Sequence, residues 1–185
     1  MKKTTIKLVP LKEDDRNQFI LDNQEAFKYG AMQEFGVRDE HLSDDGEIIS
    51  RKTIEESIDA KGAEAYRITE NGLVVGGVVL KIDKVSHRNE LELLFIVPKA
   101  HSRGIVYRAW LEIEKLYPET EVWTTCTPYF ETRNIHFYIN KCGFHAVAFY
   151  NEHYINPKMP ETDPDDQDEG PDMMFEFKKV MKKSD

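Results

Sequence analysis

Residues 5–11 alternate apolar and polar side chains in the manner of a strand with one buried face. Residues 13–35 then change period, placing Ile20, Phe27 and Ala31 on one face of a helix. A shorter helix is predicted over 50–60, with Ile54 and Ile58 four apart and Ser50 as its N-cap. Two strands, 65–69 and 73–81, flank Glu70-Asn71-Gly72. This reads as a hairpin, because asparagine and glycine accept the positive φ of a tight turn. Gly76-Gly77 inside the second arm marks a bulge or a close backbone approach. A strand over 90–97 ends at Pro98, and a helix over 104–117 carries the stripe Val106, Ala109, Trp110, Ile113 and Leu116. The remainder reads as a strand (122–127), a helix (132–142) stopped by Gly143, a strand (144–150) and a last strand (173–179). This order predicts an α/β fold, a central sheet with flanking helices.

At 185 residues the chain is sized for one core, so a single domain over 1–185 is expected. A segment rich in Pro, Asp and Glu, residues 156–172, reads as an acidic surface loop. The net charge of −9 argues against nucleic acid and against an anionic membrane as partners, and is compatible with a cationic substrate. Cys126 and Cys142 form no CxxC pair, and neither a signal peptide nor a long apolar span is visible. Free thiols and a cytoplasmic location are therefore expected, with Cys126 a buried strand residue. His136, His145 and His153 lack the spacing of a zinc site, and the aspartates after Asp163 put Asp168 where a calcium loop needs glycine. No metal is expected.

The most informative stretch is His101-Ser102-Arg103-Gly104-Ile105-Val106, between an apolar strand and an amphipathic helix. A glycine turn there directs backbone N–H groups outward at the first turn of the helix, where the helix dipole and Arg103 both favour an anion. A pyrophosphate fits this chemistry.

Leu93-Leu94-Phe95-Ile96-Val97-Pro98, then Arg103-Gly104-Ile105, then a strand, then Phe137-Tyr138 with Gly143-Phe144 resembles the GNAT superfamily of acetyl-CoA-dependent N-acetyltransferases. The resemblance implies a central mixed, mostly antiparallel sheet with a splayed strand pair that admits CoA. It implies acetyl-CoA as co-substrate, backbone contacts to its pantetheine arm from Phe95, Ile96 and Val97, and a pyrophosphate cradle at His101, Ser102, Arg103, Gly104, Ile105 and Val106. The family pattern has Arg or Gln where His101 stands and a small residue where Val106 stands; a small residue lets phosphate approach the backbone closely. Asn134, four residues before Tyr138, shares its helix face and is a candidate amide contact to CoA.

Acetyl transfer to an amine requires that the ammonium lose a proton before attack. Glu92 is the candidate base, resembling the family's acidic position on this strand, and Glu90 lies on the same face by strand parity. The oxyanion needs a donor, for which the resemblance suggests a backbone N–H near Phe95–Val97. Tyr138 occupies the family's general-acid position, where its phenol would protonate the departing thiolate. The expected partner is a small-molecule or peptide amine, and an edge strand near the C-terminus leaves a homodimer open. The alternative is a degenerate GNAT-like domain acting as an acyl-CoA sensor or interaction module.

Overall fold

A computed structural model describes residues 4–35, 46–100, 104–158 and 173–182. The chain divides into two compact units, Met1–Glu121 and Val122–Asp185.

In the first unit β1 (Ile6–Pro10) pairs with β2 (Ala63–Glu70), β2 with β3 (Leu73–Lys81) and β3 with β4 (Arg88–Ile96), all antiparallel. The β2–β3 hairpin closes through Asn71 (φ 52°) and Gly72 (φ 85°), two successive positive φ values of the kind a two-residue turn demands. The Asn71 side-chain oxygen accepts the Thr5 N–H at 3.0 Å, and the Asn71 N–H donates to the Thr5 carbonyl at 2.9 Å. The turn is thereby tied to the residue that precedes β1.

Both readings of Gly76-Gly77 hold. The β2–β3 register slips between Ile68 and Thr69, just opposite, and the two glycines are places of close approach. A Cβ on Gly76 would lie 2.1 Å from the Phe95 carbonyl oxygen, and one on Gly77 would lie 2.3 Å from the Phe19 ring. Gly76→Ala is therefore expected to cost about 1–3 kcal/mol, because the obstacle is backbone that moves only by distorting β4. Thermal denaturation checks this, and an unchanged midpoint would contradict the packing.

Helix α1 (Arg16–Phe35) follows a 3₁₀ turn at Glu13–Asp15, and α2 (Arg51–Asp59) follows its predicted cap, with Ser50 Oγ accepting the Thr53 N–H at 3.0 Å. Phe19, Ile20 and Ala26 of α1 and Ile54 of α2 bury against Val79, Leu93 and Phe95, with Phe19 and Phe95 edge to face at 5.1 Å. By strand alternation Val78 and Leu80 point the other way, yet both are fully buried, so this sheet is covered on both faces. Helix α3 (Ile105–Leu116) lies against β1 and β4 and buries Ile105, Ala109, Trp110 and Ile113.

The predicted stripe of α3 needs correcting at both ends: Val106 is half-buried and Leu116 is 46% exposed. Tyr117, not Leu116, closes the far end. It leaves helical geometry, and its hydroxyl meets Tyr66 Oη and Glu64 Oε2, each at 2.7 Å.

Asp83 organises the β3–β4 connection, accepting the Val85 and Ser86 N–H groups at 2.9 and 3.1 Å and the Ser86 hydroxyl at 2.7 Å. The Ser86 hydroxyl, then the backbone donors, hold its carboxyl down at about 2. A depressed carboxylate contributes stability above its unfolded value near 3.8, and that contribution is lost as pH falls through about 2. Asp83→Asn should therefore flatten the fall of the melting temperature between about pH 4 and pH 2. Parallel curves for the two proteins across that window would contradict it.

In the second unit β7 (Met174–Val180) lies between β5 (Val122–Pro128) and β6 (His145–Tyr150), antiparallel to both. The predicted helix over 132–142 is an α-helical turn, α4 (Thr132–His136), that widens into a π turn at Phe137–Lys141 and stops at Gly143 (φ 78°). Cys126 is half-buried instead of buried, because alternation gives the interior to its neighbours Thr125 and Thr127. Both cysteines are free thiols. Of the predicted acidic loop, residues 159–172 lie outside the described residues. No helix among the described residues is long and apolar enough to cross a membrane.

Candidate functional site

β4 positions the first group of candidate residues. Phe95 and Ile96 are buried and Val97 is half-buried, but their backbones differ in direction. The Val97 N–H donates to the Val75 carbonyl at 2.9 Å and is thus committed to β3. Strand alternation then turns the Phe95 N–H toward β3 and the Ile96 N–H toward the opposite edge. Of the predicted backbone donors in this stretch, Ile96 is the one aimed away from β3.

Past Pro98 the chain makes a short 3₁₀ turn to Ala100; His101, Ser102 and Arg103 lie outside the described residues. Gly104 is the N-cap of α3 at φ 89°, a left-handed conformation that glycine adopts without strain. A Cβ there would meet nothing within 4 Å, and no side chain caps the helix. The first intrahelical bond is Arg108 N–H to Gly104 carbonyl at 3.0 Å. The N–H groups of Ile105, Val106 and Tyr107 precede it and so have no acceptor within the helix. Ile105 anchors the turn in the core, while Val106 sits half-buried beside it. Outward N–H groups at the first turn of a helix are the kind of donor set that suits an anion.

Glu92 stands at a bulge. The β3–β4 register slips between Val79, opposite Leu93, and Leu80, opposite Leu91, leaving Glu92 as the extra residue. Bulges re-aim side chains in this way. The Glu92 carboxylate, 23% exposed, pairs with Lys81 Nζ at 2.9 Å and accepts the Ser57 hydroxyl at 3.4 Å. Glu90, opposite Lys81 in the ladder, is half-buried.

In the second unit Tyr138 occupies the π turn, where Cys142 N–H bonds the Phe137 carbonyl at 3.0 Å, five residues back. Such turns recur at functional sites. Its ring, 8% exposed, packs against Phe137, Phe144 and Phe177 with centroids at 5.4, 5.6 and 5.8 Å. Burial pushes the phenol well above its ordinary range, opposed by a hydrogen bond with the Thr125 side chain. Asn134 lies on α4, four residues before Tyr138. It is exposed, with its amide 3.4 Å from the Glu131 carboxylate, one turn before the π turn that carries Tyr138.

Several residues of these surroundings escaped the sequence reading. Arg67, its side chain 5% exposed, bonds both oxygens of Asp15 at 2.6 and 2.8 Å and Asp22 at 2.8 Å, with its guanidinium over the Phe19 ring. The sequence placed it only within the predicted strand 65–69. Asp15 of the 3₁₀ turn and Gln18, Asp22 and Glu25 of α1 line a cleft of about 330 Å³ with Arg67 and Val97. Lys81 and Ser57 carried no signal in the sequence. Among the described residues no group of His, Cys, Asp and Glu side chains is placed to hold a metal ion.

Residues 30–144 match the model of the acetyltransferase (GNAT) family. The chain belongs to the GNAT acetyltransferase family. A relative, the uncharacterized protein YrkN of Bacillus subtilis strain 168, is 44% identical over 176 residues, covering 94% of this chain and 92% of its own. The fold is that of the ribosomal-protein-S18-alanine N-acetyltransferase from Escherichia coli (TM-score 0.64, 12% identity, 99% of this chain and 97% of that one). It is also that of spermidine N-acetyltransferase from Vibrio cholerae in complex with CoA and spermine (TM-score 0.62, 13% identity, 97% and 96% covered). A Bacillus subtilis acetyltransferase in complex with CoA is similar as well (TM-score 0.60, 14% identity, 97% and 99% covered). The GNAT match spans Glu92, the end of β4, the Gly104 cap and Tyr138.

Proposed function

We propose that this GNAT protein, acting as one domain in the cytoplasm, moves an acetyl group from acetyl-CoA to a primary amine by direct attack. The observation that carries the reading is the Gly104 cap of α3. It leaves the Ile105, Val106 and Tyr107 N–H groups without helical acceptors, and β4, earlier in the chain, turns the Ile96 N–H away from β3. That donor set fits a pyrophosphate and its pantetheine arm. Two structures that share the fold hold CoA, and one of them also holds spermine, which supports both co-substrate and amine.

When bound, acetyl-CoA would supply an acyl group activated on sulfur. Residues of this chain supply the rest. His101, Ser102 and Arg103 would complete the phosphate cradle with Gly104, Ile105 and Val106, and Phe95, Ile96, Val97 and Asn134 would contact the remainder of the cofactor. Glu92 takes the amine proton, directly or through water, and Tyr138 returns a proton to the thiolate. The net charge of −9 is compatible with a cationic acceptor.

A library of primary amines incubated with acetyl-CoA and the purified chain, followed by free CoA release, tests the reading. Release that depends on a particular amine is the expected result. Binding of acetyl-CoA without release for any amine would instead favour the sensor alternative.

A further inference from the structure

We propose that Asn23 is an acceptor-recognition residue of this protein, and that the primary amine it serves carries a second, uncharged hydrogen-bonding group such as a hydroxyl or a carboxamide. The inference rests on the acetyl-transfer reading above. Asn23 is fully buried, and neither its Nδ2 nor its Oδ1 has a hydrogen-bond partner among the described residues. A side-chain amide offers two N–H donors and a carbonyl acceptor, and burying them unmet costs stability that an apolar residue would keep. The fold has no use for this polarity. Phe19, Ile20, Ala26 and Phe27 share the Asn23 face of α1 and pack in an apolar layer against Val79, Leu93 and Phe95.

Gly30, two turns farther along that face, is an independent observation. It lies inside α1 with no positive φ, so no turn calls for a glycine. A Cβ there would meet nothing within 4 Å, so no close neighbour calls for one either. Glycine inside a helix is less stable than alanine, and here the missing side chain leaves open space beside the helix. A slim aliphatic chain laid along Gly30 and Ala26 would bring a polar group to the unbonded amide.

The candidate base belongs to the same layer. Ile54 of α2 joins the cluster that holds Ala26, Leu93 and Phe95, and Ser57 of α2 bonds the Glu92 carboxylate at 3.4 Å. In the proposal the acceptor nitrogen meets Glu92 while the rest of its chain runs beneath α1. The group that reaches Asn23 is uncharged, because an ion taken into an apolar layer with one amide for a partner is costly to desolvate.

The competing role is structural, with an ordered water satisfying the amide. Free CoA release from acetyl-CoA separates the two, measured for wild type, Asn23→Leu and Gly30→Leu. The amines are n-butylamine and n-hexylamine, each beside its terminal amino alcohol, and hexamethylenediamine. We expect wild type to favour an amino alcohol over the alkylamine of the same length by about tenfold or more in kcat/KM, since a site that bonds a hydroxyl rejects the analogue without it. Asn23→Leu should erase that ratio and Gly30→Leu should raise the KM for the amino alcohol, both with the KM for acetyl-CoA unchanged. Equal kcat/KM within every pair in wild type overturns the proposal, as does a faster reaction of hexamethylenediamine than of either amino alcohol. A ratio that survives in Asn23→Leu while the melting temperature falls assigns the amide to a structural water and overturns it too. If Asn23→Leu fails to fold, Asn23→Val takes its place under the same criteria. Release with other amines and with none of these overturns the proposal alone, whereas release with no amine at all overturns the acetyl-transfer reading itself.

Discussion

Tyr138→Phe should turn over about 10–10⁴-fold more slowly than the wild type while binding CoA nearly as well. The ring keeps its contacts with Phe137, Phe144 and Phe177, so the fold survives, and what disappears is the hydroxyl bonded to Thr125. That bond is worth about 1 kcal/mol of stability, far too little to explain such a loss of rate. Because burial raises the phenol above its ordinary range, Tyr138 stays a proton donor throughout the neutral and mildly alkaline range. Its titration should therefore contribute no alkaline limb there. Thr125→Val is the control, removing the partner and sparing the phenol. A single-turnover rate unaltered in Tyr138→Phe would take the tyrosine out of the mechanism and leave thiolate departure to solvent.

Glu92→Gln should lower turnover by about 10²–10⁴-fold, the usual share of a general base, with the largest loss at the acidic end of the pH profile where the amine is hardest to deprotonate. The substitution keeps the shape of the side chain and an acceptor for Ser57, but removes the charge that meets Lys81 at 2.9 Å. Here the rival explanation is an ion pair that merely holds β4 to β3. Lys81→Met distinguishes them, since it breaks the pair and spares the carboxylate. Turnover that survives in Lys81→Met and fails in Glu92→Gln identifies the carboxylate as the base. Equal losses in both variants, matched by equal losses in melting temperature, would reduce Glu92 to a structural role.

Features set by a residue and its near neighbours could be read from the sequence alone. The Ser50 cap needs only a hydroxyl beside the Thr53 N–H, the Asn71-Gly72 turn only two residues that tolerate positive φ, and the Gly104 cap only a residue without Cβ. The strand and helix periods were legible for the same reason. So was the GNAT resemblance, whose signature is a run of backbone geometry written in glycines, a proline and apolar alternation. A π turn is different. It inserts one residue into a regular ladder, and nothing in Phe137–Lys141 distinguishes that run from an ordinary helix, so the π turn around Tyr138 was not legible.

Periodicity assigns a side chain to a face and leaves its partner open. Arg67 was placed within a strand, but Asp15 and Asp22 lie 52 and 45 residues away, and only the packing of α1 on the sheet brings them to it. Glu70 and Arg108 are 38 residues apart and meet because α3 starts beside the hairpin. Glu92 shows the division most plainly: alternation placed it on one face with Glu90, while the bulge in β4 and the packing of α2 set it against Lys81 and Ser57. Local chemistry carried the strands, the main helices, the Ser50 and Gly104 caps, the Asn71-Gly72 turn and the family resemblance. The tertiary structure decided which charges meet, because an ion pair depends on register and on layer packing, and neither is encoded by the spacing of residues along one element.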